Sequence, residues 1–343
     1  MPWVPLQTSK TPEGDGESRV VDLSICIVNW NTEAQLKACL QSIYEHTRGI
    51  AHEIFVVDNA SRDGSVGMVQ KRFPDVSLIA NRENRGFAAA NNQAIRLARG
   101  RYVMLLNPDT VVHRGALEAM VRFMDSCPQA GAVGCKLLNL DGSVQHSIRR
   151  SPTFGIALHD NTILGRLSLF REGAADYKMK DFSFDRVQEV DATSGAALLV
   201  RREVLDEVGP LDEGYFMFIE ELDLCQRIRA KGHKIYFTPD AVITHLGGES
   251  RRQNPEELVL VGQNSLMRYF TKFKGPRKTF YFKILYKPLF IVGILHDLIF
   301  DSLSLLKYKT VRKNPAKSKR KESRIKGAFH FFRKDLGYFV FRL

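Results

Sequence analysis

The sequence predicts an α/β fold, a sheet flanked by helices with a basic helical extension behind it, and three observations carry that expectation. Short apolar runs alternate with stretches of helical apolar spacing, the order that builds a parallel sheet covered on both faces. The runs ending at Trp30, Val57 and Leu106 are each followed at once by Asn or Asp, which gathers polar groups along one rim of the sheet. The charge is unevenly divided: residues 271–343 hold 19 Lys or Arg against 4 Asp or Glu, so the net +12 belongs to the tail and the remainder is mildly acidic.

At 343 residues, 44% of them hydrophobic, the chain has room for one large α/β domain plus an appendage and is not globally disordered. Residues 1–20, rich in Pro, Gly, Ser and charge, read as a flexible leader, residues 21–273 as the domain and residues 274–343 as the tail. Five cysteines lie scattered in apolar segments without a Cys-x-x-Cys pair. That pattern fits reduced, structural thiols in a cytosolic compartment and argues against a zinc site or a disulfide framework.

Element by element, Leu23 to Trp30 is a near-continuous apolar strand, and Glu33 to His46 spaces Leu36, Leu40, Ile43 and Tyr44 as a helix does. Strands follow at Glu53 to Val57 and Val76 to Ala80, then a helix from Ala88 to Arg99 opened by Asn84-Arg85-Gly86-Phe87. Tyr102 to Leu106 is a buried strand that Asn107-Pro108-Asp109-Thr110 stops, because proline cannot continue a central ladder. A helix from Gly115 to Asp125 and a strand from Ala132 to Leu138 come next, and Asp141-Gly142 turns the chain into Ser143 to Ile148. Arg149 to Gln188 is turn-rich and long enough for a substrate-facing excursion. Regular structure returns with a strand at Gly195 to Val200, helices at Glu203 to Val208 and Glu220 to Lys231, and a last strand at Lys234 to Ile243.

Three places carry chemistry. Asp109, at the carboxyl end of a central strand, stands where open α/β sheets bind ligands and is placed to hold a metal ion; alternatively it caps a helix beginning near Arg114. Phe216 to Ile219 runs directly into Glu220, Glu221 and Asp223. Asp223 reads as structural, at a helix N-terminus and paired one turn on with Arg227, whereas Glu221, against Phe216, Met217 and Phe218, would be partly desolvated and so raised toward the range of a general base. His245 ends a strand before Gly247 and Gly248, which permit close approach of a ligand; a structural histidine is the competing reading.

Val28-Asn29-Trp30-Asn31, Val57-Asp58-Asn59-Ala60-Ser61, Asn84-Arg85-Gly86-Phe87 with Asn91-Asn92, Leu106-Asn107-Pro108-Asp109, Gly195-Ala196-Ala197, Glu220-Glu221-Leu222-Asp223-Leu224 and His245 together resemble glycosyltransferase family 2. Within that family the chain is most similar to the rhamnosyltransferase-like branch, from about Leu23 to Phe273. The resemblance implies a GT-A fold, a Rossmann-like mixed sheet flanked by helices, and inverting, metal-dependent transfer from a dTDP- or UDP-linked nucleotide-sugar. It implies that Asp58 contacts the nucleobase with Asn29 and Asn31 nearby, and that Asn84, Arg85 and Gly86 line the nucleotide and diphosphate region. Asp109 would ligate Mg2+ or Mn2+ as the last residue of the family's Asp-x-Asp motif, His245 would be a further ligand or diphosphate contact, and Glu221 would be the base. Six companion blocks on the same rim thus favour the metal role of Asp109 over the cap. Two positions depart from the pattern: Asn107 replaces the first Asp, and Glu221 stands where many relatives have Asp.

In the tail, Pro288 to Leu306 is apolar but contains Asp297 and Asp301, each costing about 2.5–3.5 kcal/mol at a bilayer centre, so it does not read as a transmembrane span. Asp297, Asp301 and Ser304 fall on one helical face and Leu295, Leu298, Ile299, Leu305 and Leu306 on another. With flanking lysines and the aromatic cluster Phe280, Tyr281, Phe282 and Tyr286, this suits attachment to an anionic membrane surface. A helical pair packed on the domain beside a basic linker is the other reading. Nucleic acid is not expected, because no binding module accompanies the charge. The expected protein is a transferase, peripheral on the inner face of the cell membrane in the cytoplasm, that moves a sugar such as rhamnose to a polyprenyl-linked or envelope glycan. A UDP-hexose transferase acting on a soluble acceptor and a catalytically weak membrane-bound scaffold of a glycan assembly complex are the alternatives.

Overall fold

The computed structural model describes residues 20–167, 177, 179, 182–247, 258–310 and 315–343. The expected leader, Gly248 and part of the turn-rich Arg149 to Gln188 segment lie outside the described residues.

The strands are β1 (Leu23–Asn29), β2 (His52–Asp58), β3 (Ser77–Ala80), β4 (Tyr102–Leu106), β5 (Thr110–Val112), β6 (Ala130–Leu138), β7 (Ile148–Arg149), β8 (Gln188–Val190), β9 (Ala192–Thr193), β10 (Ala197–Arg201) and β11 (Lys234–His245). Nine of them form one mixed sheet in the order β3-β2-β1-β4-β10-β6-β11-β5 with β8 on β11, while β7 and β9 pair separately. The β1–β4 segment is the parallel half that strand–helix alternation predicts, and β10 enters antiparallel between β4 and β6. Register sets the rim: Asn29 pairs with Asp58 across β1 and β2, and Leu106 of β4 lies opposite Ala197, the first residue of β10. The carboxyl ends of three strands and the start of a fourth therefore meet along one edge.

Period-two alternation divides the core. Leu23, Ile25 and Ile27 face a cluster with Leu36, Leu40 and Met120, from the helices α1 (Glu33–His46) and, past α2 (Ser65–Arg72) and α3 (Phe87–Leu97), α4 (Ala116–Ser126). Cys26 and Val28 face the opposite layer, with Ala94 of α3. Beyond α5 (Phe154–Asn161), α6 (Ile163–Arg166) and α7 (Arg202–Val208), the helix α8 (Glu220–Ala230) adds Leu224 and Ile228 to that layer.

One alternative fails after β4. Asp109 is followed by Thr110–Val112, which pairs antiparallel with the end of β11, and α4 starts behind Gly115, where the sequence placed a helix. Asp109 is therefore no helix cap. The two β-branched valines and a threonine favour this edge strand over a turn.

The final helices, α9 (Leu258–Lys274), α10 (Pro276–Thr310), α11 (Pro315–His330) and α12 (Leu336–Phe341), build a third, aromatic core. Phe282, Tyr286 and Phe290, four residues apart on α10, stack successively at 5.0 and 5.7 Å and meet Phe154 of α5 and Phe331 and Phe339 from the last turns. The aromatic cluster expected at an interface thus splits: Phe282 and Tyr286 are core residues, and Phe280 and Tyr281 are exposed. The acidic face of α10 is turned inward. Asp297 bonds Arg166 and Arg324, and Asp301, 4% exposed, bonds Lys321 and Arg324. The outer face carries Tyr281, Ile284, Leu285, Val292, Leu295, Ile299, Leu303 and Leu306, which recur with helical spacing and are all exposed. Among the described residues Pro276–Lys309 is the helix long and apolar enough to cross a membrane by length and composition.

Candidate active site

A cavity of about 230 Å3 opens on the rim. Asn107, Asp109 and His245 line one wall, Gly195, Glu220 and Glu221 another, and Trp30, Asn59, Asn84 and Phe218 lie between them.

The Asn107–Asp109 turn is fixed from several sides. The Asn107 amide donates to Ala196 O at 3.0 Å, the Thr110 hydroxyl donates to Asn107 O at 2.7 Å, and the Leu246 amide donates to Asp109 O at 2.9 Å. Pairing of β5 with β11 sets His245 opposite Thr110, which brings His245 Nε2 to 3.3 Å from Asp109 Oδ1. Gln145 decides the histidine's tautomer. Its amide nitrogen donates to Asn139 Oδ1 and to the His245 carbonyl, so its oxygen, 2.9 Å from Nδ1, must accept the Nδ1 proton. In the neutral ring Nε2 then carries the lone pair and lies beside a carboxylate oxygen, an arrangement that a proton on Nε2 or a cation between the two atoms satisfies. An amide outside the ligands that fixes the Nδ1 proton is the usual support of a histidine ligand. Asn107 Nδ2 is also 3.3 Å from Nε2, and with the amide turned over its oxygen would face the same point. No group of three or more His, Cys, Asp or Glu assembles here among the described residues. The donor set fits a hard divalent ion completed by ligand oxygens, as Mg2+ usually is.

Glu220 and Glu221 open α8 behind two residues with left-handed backbone, Phe218 at φ 72° and Ile219 at φ 70°. Large side chains rarely adopt that region, at a cost of order 1–3 kcal/mol each. The loop is clamped: Phe87 N donates to Phe216 O at 2.7 Å and the Ser265 hydroxyl donates to Met217 O at 2.8 Å. Burial and the neighbouring Glu221 charge push the Glu220 carboxyl well above the usual range, and its Oε2 has no hydrogen-bond partner among the described residues. Burial raises Glu221 too, opposed by the Glu221 and Leu222 amides at the helix start and by the charge of Arg149. Glu221 is therefore the ionised member of the pair. Gly195 gives it room, since a Cβ there would lie 3.3 Å from Glu221 Cβ.

Asp223 is structural, as expected: fully buried, it accepts from Arg227 Nε at 2.6 Å and additionally pairs with Lys272 of α9 at 2.6 Å.

The remaining candidate donor residues flank the cavity without lining it. Asn29 donates to Asp58 Oδ2 at 2.9 Å, Ser61 N donates to Asp58 Oδ1 at 2.9 Å, and both side chains are buried. Asn31 Oδ1 accepts from Arg62 N, and Arg85 is exposed outside the wall. Gly86, at φ 81°, has a packing reason: a Cβ would sit 2.4 Å from Phe216 O, so only glycine lets the loop before Glu220 close on α3.

Sequence reasoning missed Gln145, Arg149 and Ser265. Gln145 lies in the Ser143 to Ile148 segment behind the Asp141-Gly142 turn, and no element was expected around Ser265, so neither carried a local signal. Phe218 was read only as apolar packing for Glu221 and Ile219 only as the end of the apolar run before it, because nothing in their residue types points to left-handed backbone.

With that geometry established, comparison with known proteins is informative. The family model of Glycosyl transferase family 2 matches residues 24–209. Over 213 residues the chain is 29% identical to the N-acetylglucosaminyl-diphospho-decaprenol L-rhamnosyltransferase of Mycobacterium tuberculosis, covering 59% of this chain and 69% of that one. Over 219 residues it is 26% identical to the low-salt glycan biosynthesis hexosyltransferase Agl10 of Haloferax volcanii, covering 62% and 64%. Among solved structures, the mannosyltransferase PcManGT of Pyrobaculum calidifontis, in complex with GDP-Man and Mn2+, superposes with a TM-score of 0.51 at 17% identity, covering 93% of this chain and 89% of that one. That likeness is one of fold.

Proposed function

The chain belongs to glycosyl transferase family 2, in its rhamnosyltransferase-like branch, and from that premise we propose that it transfers a sugar, with inversion, from a nucleotide-diphosphate donor to a lipid-linked or envelope glycan. The observation that carries the reading is the cavity in which the Asp109–His245 pair faces Glu221.

The donor's diphosphate lies against Asn107, Asp109, His245 and Asn84, with Arg85 and Gly86 shaping that end. The nucleobase lies toward Asp58, Asn29 and Asn31, where Asp58 keeps acceptor capacity beyond the two hydrogen bonds it already takes. Asp109 and His245 hold a divalent cation, Mg2+ or Mn2+, which when bound stabilises negative charge developing on the diphosphate. Glu221, ionised and desolvated, takes the proton of the acceptor hydroxyl as that oxygen attacks the anomeric carbon from the face opposite the diphosphate. A single displacement inverts the centre. Glu220, held protonated, adds no second charge beside the base.

The outer face of α10, apolar over about seven turns and flanked by the exposed Lys278 and Lys307, supports seating on an anionic membrane where a lipid-linked acceptor resides. The relatives' printed substrates, a decaprenol-linked sugar and a low-salt glycan, support the acceptor class.

The test is turnover of purified protein with dTDP- and UDP-linked sugars, either metal, and a lipid-extract acceptor. Asp109→Ala and Glu221→Gln are each expected to lower kcat at least about a hundredfold, the scale of a lost acid–base group. Unchanged turnover in both would refute the mechanism. Preference for a UDP-hexose and a soluble acceptor would instead select the alternative substrate pair.

A further inference from the structure

A second cavity, of about 460 Å3, lies behind the catalytic loop among α5, α6, α9, α10 and α11. Its size falls within the roughly 300–1,000 Å3 of small-molecule sites. Resting on the transferase reading above, we propose that this cavity receives the apolar isoprenoid chain of the acceptor while the acceptor's sugar is presented to Glu221.

Five observations converge. The floor is hydrocarbon, formed by Leu258, Val259, Phe290, Ile294, Leu298 and Phe331. The ionic groups at its rim are already matched to one another, Asp297 to Arg166 and Arg324, Asp301 to Lys321 and Arg324, so the cavity is closed to a further ionic ligand while its apolar floor stays open. A self-compensated polar rim above an apolar floor suits a chain that is hydrocarbon inside the cavity and polar only beyond it.

Two glycines in helix interiors, Gly262 and Gly327, face this space. Glycine weakens a helix, and neither position requires it for its own packing: a Cβ at Gly327 would meet nothing within 4 Å, and one at Gly262 would meet only the Phe218 ring at 3.9 Å. Both are explained if the space beside them is used.

The Gly262 contact also joins the two cavities. Phe218 lines the donor cavity and Gly262 the second one, so a single ring stands between them. That ring belongs to the strained loop that leads, three residues on, to Glu221. Finally, α10 forms one wall of the cavity with Phe290, Ile294 and Leu298 while showing its apolar outer face at Leu295 and Ile299, so the cavity is one helix away from the proposed bilayer.

The experiment is photolabelling of the full chain with a diazirine-bearing farnesyl phosphate, with labelled residues located by mass spectrometry. Label is expected on residues of the second cavity such as Ile294 and Ala328. It is expected to fall at least tenfold in Gly327→Phe and in Leu298→Trp, which fill the space from opposite walls, and to persist in Gly327→Ala. Thermal melting of each variant checks folding, and either filling variant alone suffices if the other fails to fold. Label located elsewhere, absent, or unaffected by a folded filling variant overturns the proposal. Displacement as efficient with dioleoylphosphatidylglycerol vesicles as with unlabelled farnesyl phosphate also overturns it, by making the cavity a general lipid site. Hydrolysis of the nucleotide-sugar donor, which needs no lipid, reads the transferase assignment separately. Donor hydrolysis without cavity labelling sinks only the chain site, and labelling without donor hydrolysis sinks only the transferase reading.

Discussion

The division of work proposed for the adjacent carboxylates Glu220 and Glu221 rests on a difference in their surroundings. Burial and the charge of Glu221 push Glu220 well above the usual carboxylate range, whereas the amides at the helix start and Arg149 oppose the effect of burial on Glu221. A base must lose its proton to act, so a raised Glu221 pKa moves the acidic limb of the rate profile upward from the ordinary glutamate value of about 4.3. Profiles of kcat/KM against pH should show that limb in the native protein and in Glu220→Gln, and a low, flat profile in Glu221→Gln; loss of the limb in Glu220→Gln would exchange the two roles. Stability carries the opposite sign at Glu220. Its folded pKa lies above the unfolded one, so its contribution is present at low pH and is lost as pH rises through the folded value, and melting of Glu220→Gln should lack that alkaline loss. Gly195 supplies an independent check on the base. A methyl group there would stand 3.3 Å from Glu221 Cβ, so Gly195→Ala should lower kcat several-fold with little change in donor KM, and Gly195→Val should lower it further.

The Leu211–Ile219 loop, as an element, is strained at its end and must be held at its start. Asp212 does so by accepting from Arg268 at 2.7 Å and Lys272 at 3.0 Å on α9. Burial alone would raise the Asp212 pKa, but these two donors and the Gly214 amide outweigh it and hold the carboxyl at about 2. A depressed carboxylate contributes stability above its unfolded pKa of about 3.9 and loses it as pH falls toward the folded value. Acid titration from about pH 4 to 2 should therefore release the loop in the native protein, and Asp212→Asn, already without this contribution at neutral pH, should show a flatter dependence by near-ultraviolet circular dichroism. Asp223, fully buried between Arg227 and Lys272, is the stronger clamp. Asp223→Ala leaves Arg227 without its carboxylate and Lys272 with Asp212 alone, and should cost about 3–5 kcal/mol in urea unfolding. The strands were legible because each is a short apolar run stopped by Asn, Asp or Pro, and α1 because its apolar spacing is regular. The Thr110–Val112 strand was not, since its identity depends on a partner more than a hundred residues away, the far end of β11. Asp109, Glu221 and His245 could be singled out from strand and helix ends, but their support could not: Gln145 acts through a tertiary hydrogen bond, and Gly86 through the approach of Phe216.

Across the whole molecule, α10 departs from the usual amphipathic rule in its later half, where Asp297 and Asp301 turn inward while hydrocarbon stays outside. Periodicity alone found both faces but could not say which was buried, because that depends on the cations that Arg166, Lys321 and Arg324 bring from other helices. With the acids neutralised within the fold, the exposed stripe from Tyr281 to Leu306 carries no charge of its own and runs about 38 Å, a length suited to lying along an interface. Ile299 and Leu303 are 59% and 61% exposed, so Ile299→Glu with Leu303→Glu removes apolar contact from the stripe without opening the core. Transfer of each such side chain to an apolar environment contributes roughly 1.5–3 kcal/mol, and the pair should weaken binding to anionic vesicles at least about a hundredfold in flotation. Neutral vesicles should bind the native protein more weakly, and rising salt should erode the difference by screening the flanking lysines. If the double variant floats as well as the native chain, the stripe does not seat on the membrane. Should the variant instead convert an oligomer to a monomer by light scattering while flotation stays unchanged, the stripe joins copies of the chain. Vesicle binding lost together with transfer to a lipid-linked acceptor, while donor hydrolysis persists, would tie the outer face of α10 to presentation of the acceptor rather than to the chemistry at Glu221.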